Sequence, residues 1–381
     1  MQTPEEIELR EKVISSLLSQ GYTVDGLGRI IPPTYRSKDD IRLIHKNSVA
    51  YQLEKKKMSL ERYEDKFINR IANGEEVSVS DFYPKIIPVH SGTADSYLFN
   101  YISCHWSVPV SSGYGRRMRY LVEDESNKKI VGIIGLGDPI YGLEARDNYI
   151  GWTSDQRKEK LYNIMEAYVL GAVPPYNRLL CGKLMALLSL SDTVRYDFKE
   201  KYQNRTPLIS GRKKPANLVS ITTTSALGVS SVYDRIKANG FEYWHKIGFT
   251  KGTGNFQFSN SVYLEMIDHV RKLEKEPEKN ERWGKGFRNR REVVRKCLKS
   301  LDLNADLMEH GVKREIYMGH LCENSRAYLN GSDNVPLYYD WGVEELADLF
   351  KTRWMIPRAK RFADYKGYDR EGYRLWVQRE S

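Results

Sequence analysis

The chain has 381 residues, of which 40% are hydrophobic and 29% are charged, and this balance excludes an intrinsically disordered chain. The length predicts roughly two or three domains, and the sequence has neither an apolar run of membrane-spanning length nor a signal-peptide core, which predicts a cytoplasmic protein outside the membrane. The formal net charge of +10 favours a polyanionic partner such as nucleic acid.

Four cysteines are scattered along the chain without a CxxC pair. This spacing argues against a structural zinc site and against a disulfide framework, and it agrees with a cytoplasmic setting. His320 and Cys322 are close in sequence, but we interpret this lone His-x-Cys pair as incidental and predict no metal site. The cysteines are Cys104, Cys181, Cys297 and Cys322.

Residues 1–80 are predicted to form an N-terminal helical region. Apolar residues recur at helical spacing between Ile7 and Leu18, which predicts an amphipathic helix that ends near Gly21. A second stretch, residues 38–71, is rich in helix formers and carries another apolar stripe. The two segments predict a helical hairpin that packs on the next domain or grips a partner.

Residues 81–275 are predicted to form an α/β core that begins with a hairpin. Alternating residues after Arg116 predict one strand, and the run KIVGIIGL at 129–136 predicts a second, buried strand beyond a polar turn. The hairpin places Arg116, Arg117 and Arg119 near one sheet edge. These arginines are candidate nucleic-acid contacts, and the alternative is a positively charged edge that prevents aggregation.

A polar loop at residues 145–157 leads into the next helix. Within it, Arg146-Asp147 and Gly151-Trp152 are residue pairs suited to ion pairing and aromatic packing. We therefore predict that they fix the loop and have a structural role.

The stretch from 167 to 188 is predicted to be a strand, a tight turn and a helix. An apolar run at 169–173 has strand length, and Pro174-Pro175 ends it because proline lacks an amide hydrogen. Asn177 is a good N-cap, and leucines recur at helical spacing from Leu179. A helix N-terminus suits a phosphate, and the alternative is an ordinary strand–helix connection.

The same turn lacks the residues of a Walker A loop but resembles the acyl-CoA loop of GNAT-type acyltransferases. Pro174, Tyr176 and Gly182 fit the pattern of that loop. Asn177 replaces its arginine, and Leu180 replaces its first glycine. The resemblance implies that the loop binds acetyl-CoA or another acyl-CoA. The candidate cofactor-binding residues are Ala172, Val173, Asn177, Arg178, Gly182 and Lys183.

The second half of the core has a similar order of elements. The β-branched run at 218–224 predicts a strand, and a capping-box-like sequence predicts a helix over 232–239. In GNAT-type folds the second half likewise has a strand, a helix that bears a tyrosine and a Gly-Phe strand, and Tyr233 and Gly248-Phe249 match those positions. Tyr233 is a candidate general acid that protonates a leaving thiolate, or else a core residue.

Residues 276–381 are predicted to be a basic, aromatic-rich C-terminal region. Between 277 and 300 the basic residues outnumber the acidic ones, with Trp283 and Phe287 interleaved. This mixture is typical of nucleic-acid binding, and the alternative is a solvated helix face. The tail from 351 onwards repeats the mixture. The candidate contacts in the first segment are Arg288, Arg290, Arg291 and Arg295.

Several motifs together resemble the DUF4338 family. They are GRRMRYLV at 115–122, KIVGIIGL, Arg146-Asp147 with Ile150-Gly151-Trp152, and TTTSALGVSSVYDR at 222–235. The resemblance spans most of the chain, and it implies a component of a bacterial, multi-gene anti-phage defence system of the Druantia type. It also implies that proteins encoded alongside act with it, including a helicase-like subunit.

The sequence leaves three functions open. The first is a defence component that binds nucleic acid on a GNAT-like scaffold, the second is an active acyl-CoA-dependent transferase, and the third is a transposition-related DNA-binding protein. No clustered Asp-Glu set with metal-ligand spacing is present in the sequence, which argues against a nuclease core. All three share one expected fold, a mixed α/β (α+β) chain whose GNAT-like central sheet has 129–136, 169–173 and 218–224 as neighbouring strands between flanking helices.

Overall fold

A computed structural model describes residues 2–35, 37–110, 115–206, 211–258, 261–273 and 287–376. It confirms the predicted mixed α+β fold, which is built around a seven-stranded mixed sheet. The strands are β1 (Thr23–Val24), β2 (Ile30–Ile31), β3 (Pro84–Pro88), β4 (Arg117–Asp124), β5 (Lys129–Gly137), β6 (Ile164–Ala172), β7 (Ser220–Thr224), β8 (Lys237–Ala238), β9 (Phe241–Glu242), β10 (Trp244–Phe249) and β11 (Glu315–His320). The helices are α1 (Pro4–Leu18), α2 (Lys38–Leu60), α3 (Glu64–Ile68), α4 (Ala94–Ser103), α5 (Glu144–Ile150), α6 (Ser154–Lys160), α7 (Cys181–Leu188), α8 (Asp192–Tyr202), α9 (Val262–Leu273), α10 (Phe287–Ser300), α11 (Ser325–Asn330), α12 (Val343–Phe350) and α13 (Ile356–Arg361).

The large sheet has the strand order β10-β11-β7-β6-β5-β4-β3. The three strands predicted to be central, β5, β6 and β7, are indeed neighbours in the middle of the sheet. β6 and β7 run parallel, whereas the other five pairs are antiparallel. The sheet is therefore mixed, as the sequence predicts.

The parallel pair is short. Its register runs from Ile164 opposite Ser220 to Ala167 opposite Thr223, and the two strands then separate. β6 nevertheless continues to Ala172, where it still pairs with β5. The far half of β6 therefore has a hydrogen-bonded neighbour on one side only.

A β-bulge in β6 lies at the point where the strands separate. Val169 faces Gly135 on β5, whereas Ala167 faces the next residue, Leu136. Tyr168 is consequently the extra residue of the bulge. A bulge bends its strand and re-aims a side chain, so it accounts for both the divergence of β6 from β7 and the placement of the Tyr168 ring.

Helices cover both faces of the sheet, as a two-sided core requires. On one face α7, α8 and α12 share a hydrophobic core with the central strands. α7 is buried over most of its length because residues 184–188 are all apolar. On the opposite face α3 and α4 pack against β4, β5 and β6.

The N-terminal helix packs against helices from late in the chain. Leu17 of α1, Met266 of α9 and Leu298 of α10 belong to one buried cluster. A capping box fixes the start of α1, because the Thr3 hydroxyl accepts from the Glu6 amide and the Glu6 carboxylate accepts from the Thr3 amide. The cluster therefore joins the first helix to residues from Phe258 to Met308.

The helix predicted over 232–239 is wrong. A single 3-10 turn, Tyr233–Arg235, is followed by the short antiparallel pair β8–β9. The two residues between these strands, Asn239 and Gly240, both have positive φ values, 52° and 76°. Asn-Gly in this conformation makes a two-residue hairpin turn, and that local signal outweighs the capping-box-like sequence before it.

Asn177 does not cap α7, contrary to the prediction. A 3-10 turn, Tyr176–Leu179, comes first, and Leu180 precedes the helix in a left-handed conformation with a φ of 64°. Tyr176 explains this arrangement, because its buried hydroxyl donates to Asp124 Oδ2 at 2.8 Å and accepts from Asn127 Nδ2 at 2.8 Å. This anchor on the β4–β5 turn fixes where the chain leaves β6, and the helix starts one turn later.

We predict that Tyr176→Phe lowers the free energy of unfolding by about 1–3 kcal/mol, because it leaves the buried Asp124 carboxylate and Asn127 amide short of a partner. Urea denaturation at pH 7.5 measures the change. Tyr196→Phe is the matched control, since Tyr196 is 58% exposed and water replaces its contacts. An equal effect of the two substitutions would contradict the anchoring role.

Candidate functional site

The three arginines predicted at the sheet edge have different surroundings. Arg116 is a packing residue: its Nε donates to Asp138 Oδ1 at 2.6 Å, and its two terminal nitrogens donate to the carbonyls of Tyr162 and Ile164 at 2.5 and 3.1 Å. Its guanidinium also lies 4.2 Å from the centroid of the Tyr162 ring. Its side chain is only 12% exposed, so Arg116 has little capacity left for a ligand.

Arg117 and Arg119 instead lie beside the Tyr168 ring. They face Gly137 and Gly135 across the β4–β5 pair, and directly opposed residues share a face of the sheet. A Cβ atom added to Gly135 would come within 2.6 Å of the Tyr168 ring, so this ring lies flat on the two glycines. No ion pair joins either arginine to a carboxylate among the residues that the structure describes. Burial raises the pKa of Tyr168 to about 12, against the opposing charges of Arg117 and Arg119.

The C-terminal end of α8 adds two cations to this place. Lys201 Nζ donates to the carbonyl of Arg117 at 2.8 Å. Partial desolvation and repulsion from Arg205 and Arg119 lower the pKa of Lys201, whereas the carboxylate of Asp197 opposes that shift. Arg117 and Arg119 therefore lie beside the Tyr168 ring, and Lys201 and Arg205 add positive charge next to Arg119. We call this group the β4 patch; it consists of Arg117, Arg119, Tyr168, Lys201 and Arg205.

The predicted arginines of the C-terminal region do not form a comparable group. Arg290 is largely buried, donates to the carbonyl of Phe258 at 2.9 Å and lies 4.1 Å from the centroid of the Tyr263 ring; burial lowers its pKa. Arg295 pairs with Glu292 at 2.6 Å, whereas Arg291 is exposed. The side chain of Arg288 and all of Trp283 lie outside the described residues.

Tyr373 of the tail packs in the core. Tyr373 is buried and its ring stacks on His105 with centroids 3.6 Å apart. Arg374 next to it pairs with Asp65 at 2.7 Å and with Glu371 at 2.6 Å. These contacts tie the end of the tail to the N-terminal helices, so packing within the chain explains Tyr373 and Arg374.

The predicted acyl-CoA loop is in contact with the C-terminal segment. Arg178 donates to the carbonyl of Asp364 at 2.6 Å, and its own carbonyl accepts from Arg358 Nε at 3.0 Å. Asn177 is exposed, and a Cβ atom added to Gly182 would meet nothing within 4 Å among the described residues. Of the two preceding candidates, Ala172 is half-buried and Val173 is buried.

Lys183 and Tyr233 lie close to the point where β6 and β7 separate. Lys183 is buried and its Nζ donates to the carbonyl of Val232 at 3.0 Å; burial lowers its pKa to about 8. The Tyr233 ring packs between Trp244 and Tyr317, with centroids 5.3 and 5.1 Å away. Its hydroxyl is enclosed, and this burial raises its pKa.

Arg146 and Asp147 have the structural role predicted for them. Arg146 is fully buried and donates twice to Asp147 Oδ1, at 2.9 and 2.7 Å. Asp147 Oδ2 accepts from Arg157 at 2.8 Å, and Trp152 lies 5.3 Å from the Arg146 guanidinium. Gly151 ends α5 in the left-handed region, with a φ of 80°. Together they fix α5 and the loop after it.

Sequence reasoning missed a cleft of about 540 Å³. At its base His320 lies between two hydroxyls, with Nδ1 2.9 Å from Ser220 Oγ and Nε2 3.2 Å from Tyr149 Oη. His245 is next to it, with ring centroids 5.3 Å apart. The sequence carries one signal for this site. His320 ends a run of strand-forming residues, and this run pairs with the strand that starts at Ser220.

The described part of the chain contains no group of three or more His, Cys, Asp or Glu side chains arranged to hold a metal ion. Within the same residues, none of the helices combines the length and the apolar character needed to cross a bilayer.

Two comparisons place the chain among known proteins. The family model described as "Druantia protein DruA" matches residues 35–331. The chain is also 39% identical over 376 residues to the Druantia protein DruA of Escherichia coli (strain UMEA 4076-1), an alignment that covers 98% of this chain and 91% of that protein. No solved structure gives a significant match.

Three enclosed histidines generate a prediction about pH. Burial lowers the pKa of His45 and of His320 to about 3 and that of His310 to about 4, and the Arg314 guanidinium donates to His45 at 2.8 Å. In the unfolded chain the same rings titrate near pH 6.5. The unfolded state therefore binds more protons below that pH, so stability is complete above about pH 6.5 and falls as the pH decreases towards 4.

We expect the free energy of unfolding to fall by about 2 kcal/mol per enclosed histidine between pH 7.5 and 5.0. Urea denaturation at the two pH values measures the loss. His45→Gln keeps an acceptor for Arg314 but cannot titrate, so the difference between wild type and this variant isolates one ring. A pH dependence that is the same in both proteins would contradict the assignment.

Proposed function

Because the chain belongs to the Druantia protein DruA family, we propose that it is a component of a bacterial anti-phage defence system and that it binds nucleic acid through the β4 patch. The first part rests on the family. The second part rests on one observation, the placement of Arg117 and Arg119 beside the Tyr168 ring, with Lys201 and Arg205 close to Arg119.

The chemistry of the β4 patch suits a nucleic-acid strand. Lys and Arg side chains contact phosphates and release counterions, while an aromatic ring offers a stacking surface for any base. Arg117 and Arg119 are two residues apart on one strand, so their side chains leave the sheet side by side. Neither guanidinium group is paired with a carboxylate among the described residues; Arg119 donates to Ser91 Oγ at 3.3 Å and keeps further donors for a phosphate.

The buried partners of Arg116 support the patch from below. Because Arg116 holds Asp138, Tyr162 and Ile164 together, it fixes the start of β4 against the start of β6. The neighbouring Arg117 and Arg119 are thereby presented from a rigid strand rather than from a mobile loop. Such preorganisation lowers the entropy that binding must otherwise overcome.

An acyl-CoA-dependent transferase on a GNAT-like scaffold is the second candidate. The divergence of β6 from β7 beyond Ala167 and Thr223, with Tyr233 close by, favours it. The contacts of the loop favour the scaffold instead, because Arg178 and Lys183 already bond to carbonyls of this chain. We therefore infer that the fold serves as a scaffold, with its partners among the proteins of the same system.

We predict that Arg117→Glu combined with Arg119→Glu weakens binding to single-stranded DNA by more than about 10-fold at physiological salt. The slope of log K against log salt should fall by about 0.7 for each phosphate contact that is lost. Fluorescence anisotropy with a labelled oligonucleotide between 50 and 200 mM salt, roughly the range over which such contacts are sensitive, measures both.

The matched control changes the net charge equally but elsewhere. Arg291→Glu combined with Arg295→Glu places the same charges on the outer side of α10, and we expect only a small, uniform weakening. Equal losses in the two double variants would mean that total charge, and not the β4 patch, determines binding.

We further predict that acetyl-CoA produces no saturable heat with the wild-type protein in titration calorimetry. Gly182→Ala should leave phage protection intact and stabilise the fold by up to about 1 kcal/mol, because Gly is unfavourable in a helix and the added methyl faces open space. Saturable heat that Gly182→Glu abolishes would overturn the scaffold assignment in favour of the transferase.

A further inference from the structure

The cleft of about 540 Å³ lies beside α5, where β7 and β10 begin and β11 ends. Its position is separate from the β4 patch, and neither the family description nor the proposed binding role uses it. Among the residues that line the cleft are five titratable side chains: Tyr149, Glu242, His245, His320 and Arg326.

Three of the side chains at the base form a chain of hydrogen bonds. Tyr149 Oη is 3.2 Å from His320 Nε2, and His320 Nδ1 is 2.9 Å from Ser220 Oγ. A Ser, Cys or Tyr nucleophile is activated by a base within hydrogen-bond distance, and a third group orients that base. Ser220 is fully buried and faces His320 across the β7–β11 pair, so it holds the ring and does not react.

His320 is neutral and its lone pair can accept a proton, but its low pKa makes it a weak base until an anion enters the cleft. Burial, with smaller contributions from the charges of His245 and Arg326, lowers its pKa to about 3, so the ring is neutral at pH 7. In the tautomer that serves this role, Nδ1–H donates to Ser220 Oγ, and the Nε2 lone pair faces the Tyr149 hydroxyl. A phosphate anion in the cleft would stabilise the imidazolium and raise that pKa.

The charges around Tyr149 select the kind of electrophile. The exposed Arg326 guanidinium lies 4.8 Å from the centroid of the Tyr149 ring, and Arg is the side chain that best matches phosphate oxygens. Two carboxylates, Glu242 and Glu323, carry the opposing charge in the wall, and Glu242 pairs with Lys237 at 3.1 Å. A phosphodiester is the electrophile that both fits this arginine and belongs to the polyanion bound by the β4 patch.

The sheet register places Arg117 of the β4 patch and His245 of the cleft on one face of the sheet. Arg117 faces Gly137, Gly137 faces Glu166, and Glu166 faces Thr222. That row continues through Met318 to His245. Residues directly opposed in a sheet share a face, and five strand-to-strand steps of about 4.8 Å give about 24 Å between the ends of the row. This span equals about seven nucleotide steps at 3.4 Å each, so one nucleic-acid strand is long enough to reach both the β4 patch and the cleft.

We propose that the cleft is a strand-cleavage site in which Tyr149 is the nucleophile and His320 is its base. The inference rests on the proposed function in one respect, the binding of nucleic acid. Tyr149 Oη forms a bond to the phosphorus of a phosphodiester, while the bond from that phosphorus to one sugar oxygen breaks. The tyrosine proton passes to His320 Nε2, and the leaving sugar oxygen, on the opposite side of the phosphorus, takes a proton from solvent water. The products are a phosphotyrosyl diester and a free hydroxyl, and the balance needs no reactant besides water.

The test looks for the covalent product. Wild-type protein is incubated with single-stranded DNA labelled at either end, with magnesium chloride present, and the mixture is run on a denaturing protein gel. We expect one labelled strand end to move with the protein in wild type and no such band in Tyr149→Phe. Tyr339→Phe is the matched control, because Tyr339 lines the same cleft and makes no contact with His320, and this variant should form the adduct as wild type does.

Two further variants separate chemistry from folding. His320→Asn should slow adduct formation by about 10² to 10⁴-fold, the usual contribution of a general base. Because His320 also bonds to Ser220 and Tyr149, the rates are compared at a temperature at which thermal unfolding shows both proteins to be folded. Ser220→Ala should slow it less, and Ser220→Cys, which keeps a hydrogen-bonding side chain, should restore part of the rate. A purely structural role for Ser220 would change stability without this rescue.

The outcomes distinguish the two proposals. DNA that binds in an anisotropy assay but never forms an adduct overturns the cleavage inference and leaves the binding proposal standing. An adduct that Tyr149→Phe forms as fast as wild type also overturns it. If DNA does not bind at all, the proposed function fails first and the cleavage inference fails with it.

Discussion

The incomplete pairing of β6 with β7 is the constraint on which the other features depend. β6 has a full-length partner in β5 but pairs with β7 only from Ile164 to Ala167. The bulge at Tyr168 turns the rest of β6 away, because a bulge adds a residue to one strand and increases its twist. Beyond that point the two strands lead to different parts of the molecule. β6 leads to the anchored turn before α7, and β7 leads to the loop that carries Tyr233.

The same bulge decides how the arginines near β4 are used. It lays the Tyr168 ring over Gly135 and Gly137, where any side chain would collide with it. The two residues opposite those glycines, Arg117 and Arg119, consequently flank a ring. Arg116 is just before the strand, outside this alternation, and its guanidinium turns to Asp138 and to carbonyls of the 162–164 segment. Adjacent arginines therefore differ in role because one precedes the pleated strand and the other two belong to it.

The sequence predicted the elements whose signals are local. The alternation around β4 and the apolar run of β5 specify a hairpin, and the β-branched run before Thr224 specifies β7. The predicted helix over 232–239 failed because two local signals competed and the Asn239-Gly240 turn was the stronger one. Asn177 failed for another reason: the start of α7 depends on the hydrogen bonds of Tyr176 to the distant β4–β5 turn.

The site is harder to predict than the fold because its parts meet only in space. Ser220 and His320 are 100 positions apart and become neighbours through the β7–β11 pair. Arg290 is an example of the opposite error. Its basic, aromatic-rich segment resembles a binding surface in the sequence, but in the fold its side chain packs against Tyr263. Charge runs in a sequence therefore indicate which polymer a chain suits, but only the fold shows which charges remain accessible.

α5 connects these observations. Its first turn carries Arg146 and Asp147, which are buried and bonded to each other, to Arg157 and to the carbonyls of the 140–141 segment. Its last turn carries Tyr149 at the cleft. A helix of only two turns is not stable alone, so the direction of the Tyr149 side chain depends on this buried ion-pair network. The buried pair Arg146-Asp147 thus sets the position of the Tyr149 hydroxyl, which the proposed chemistry of the cleft requires. This explains why α5 combines buried charge with an aromatic residue in a polar cleft.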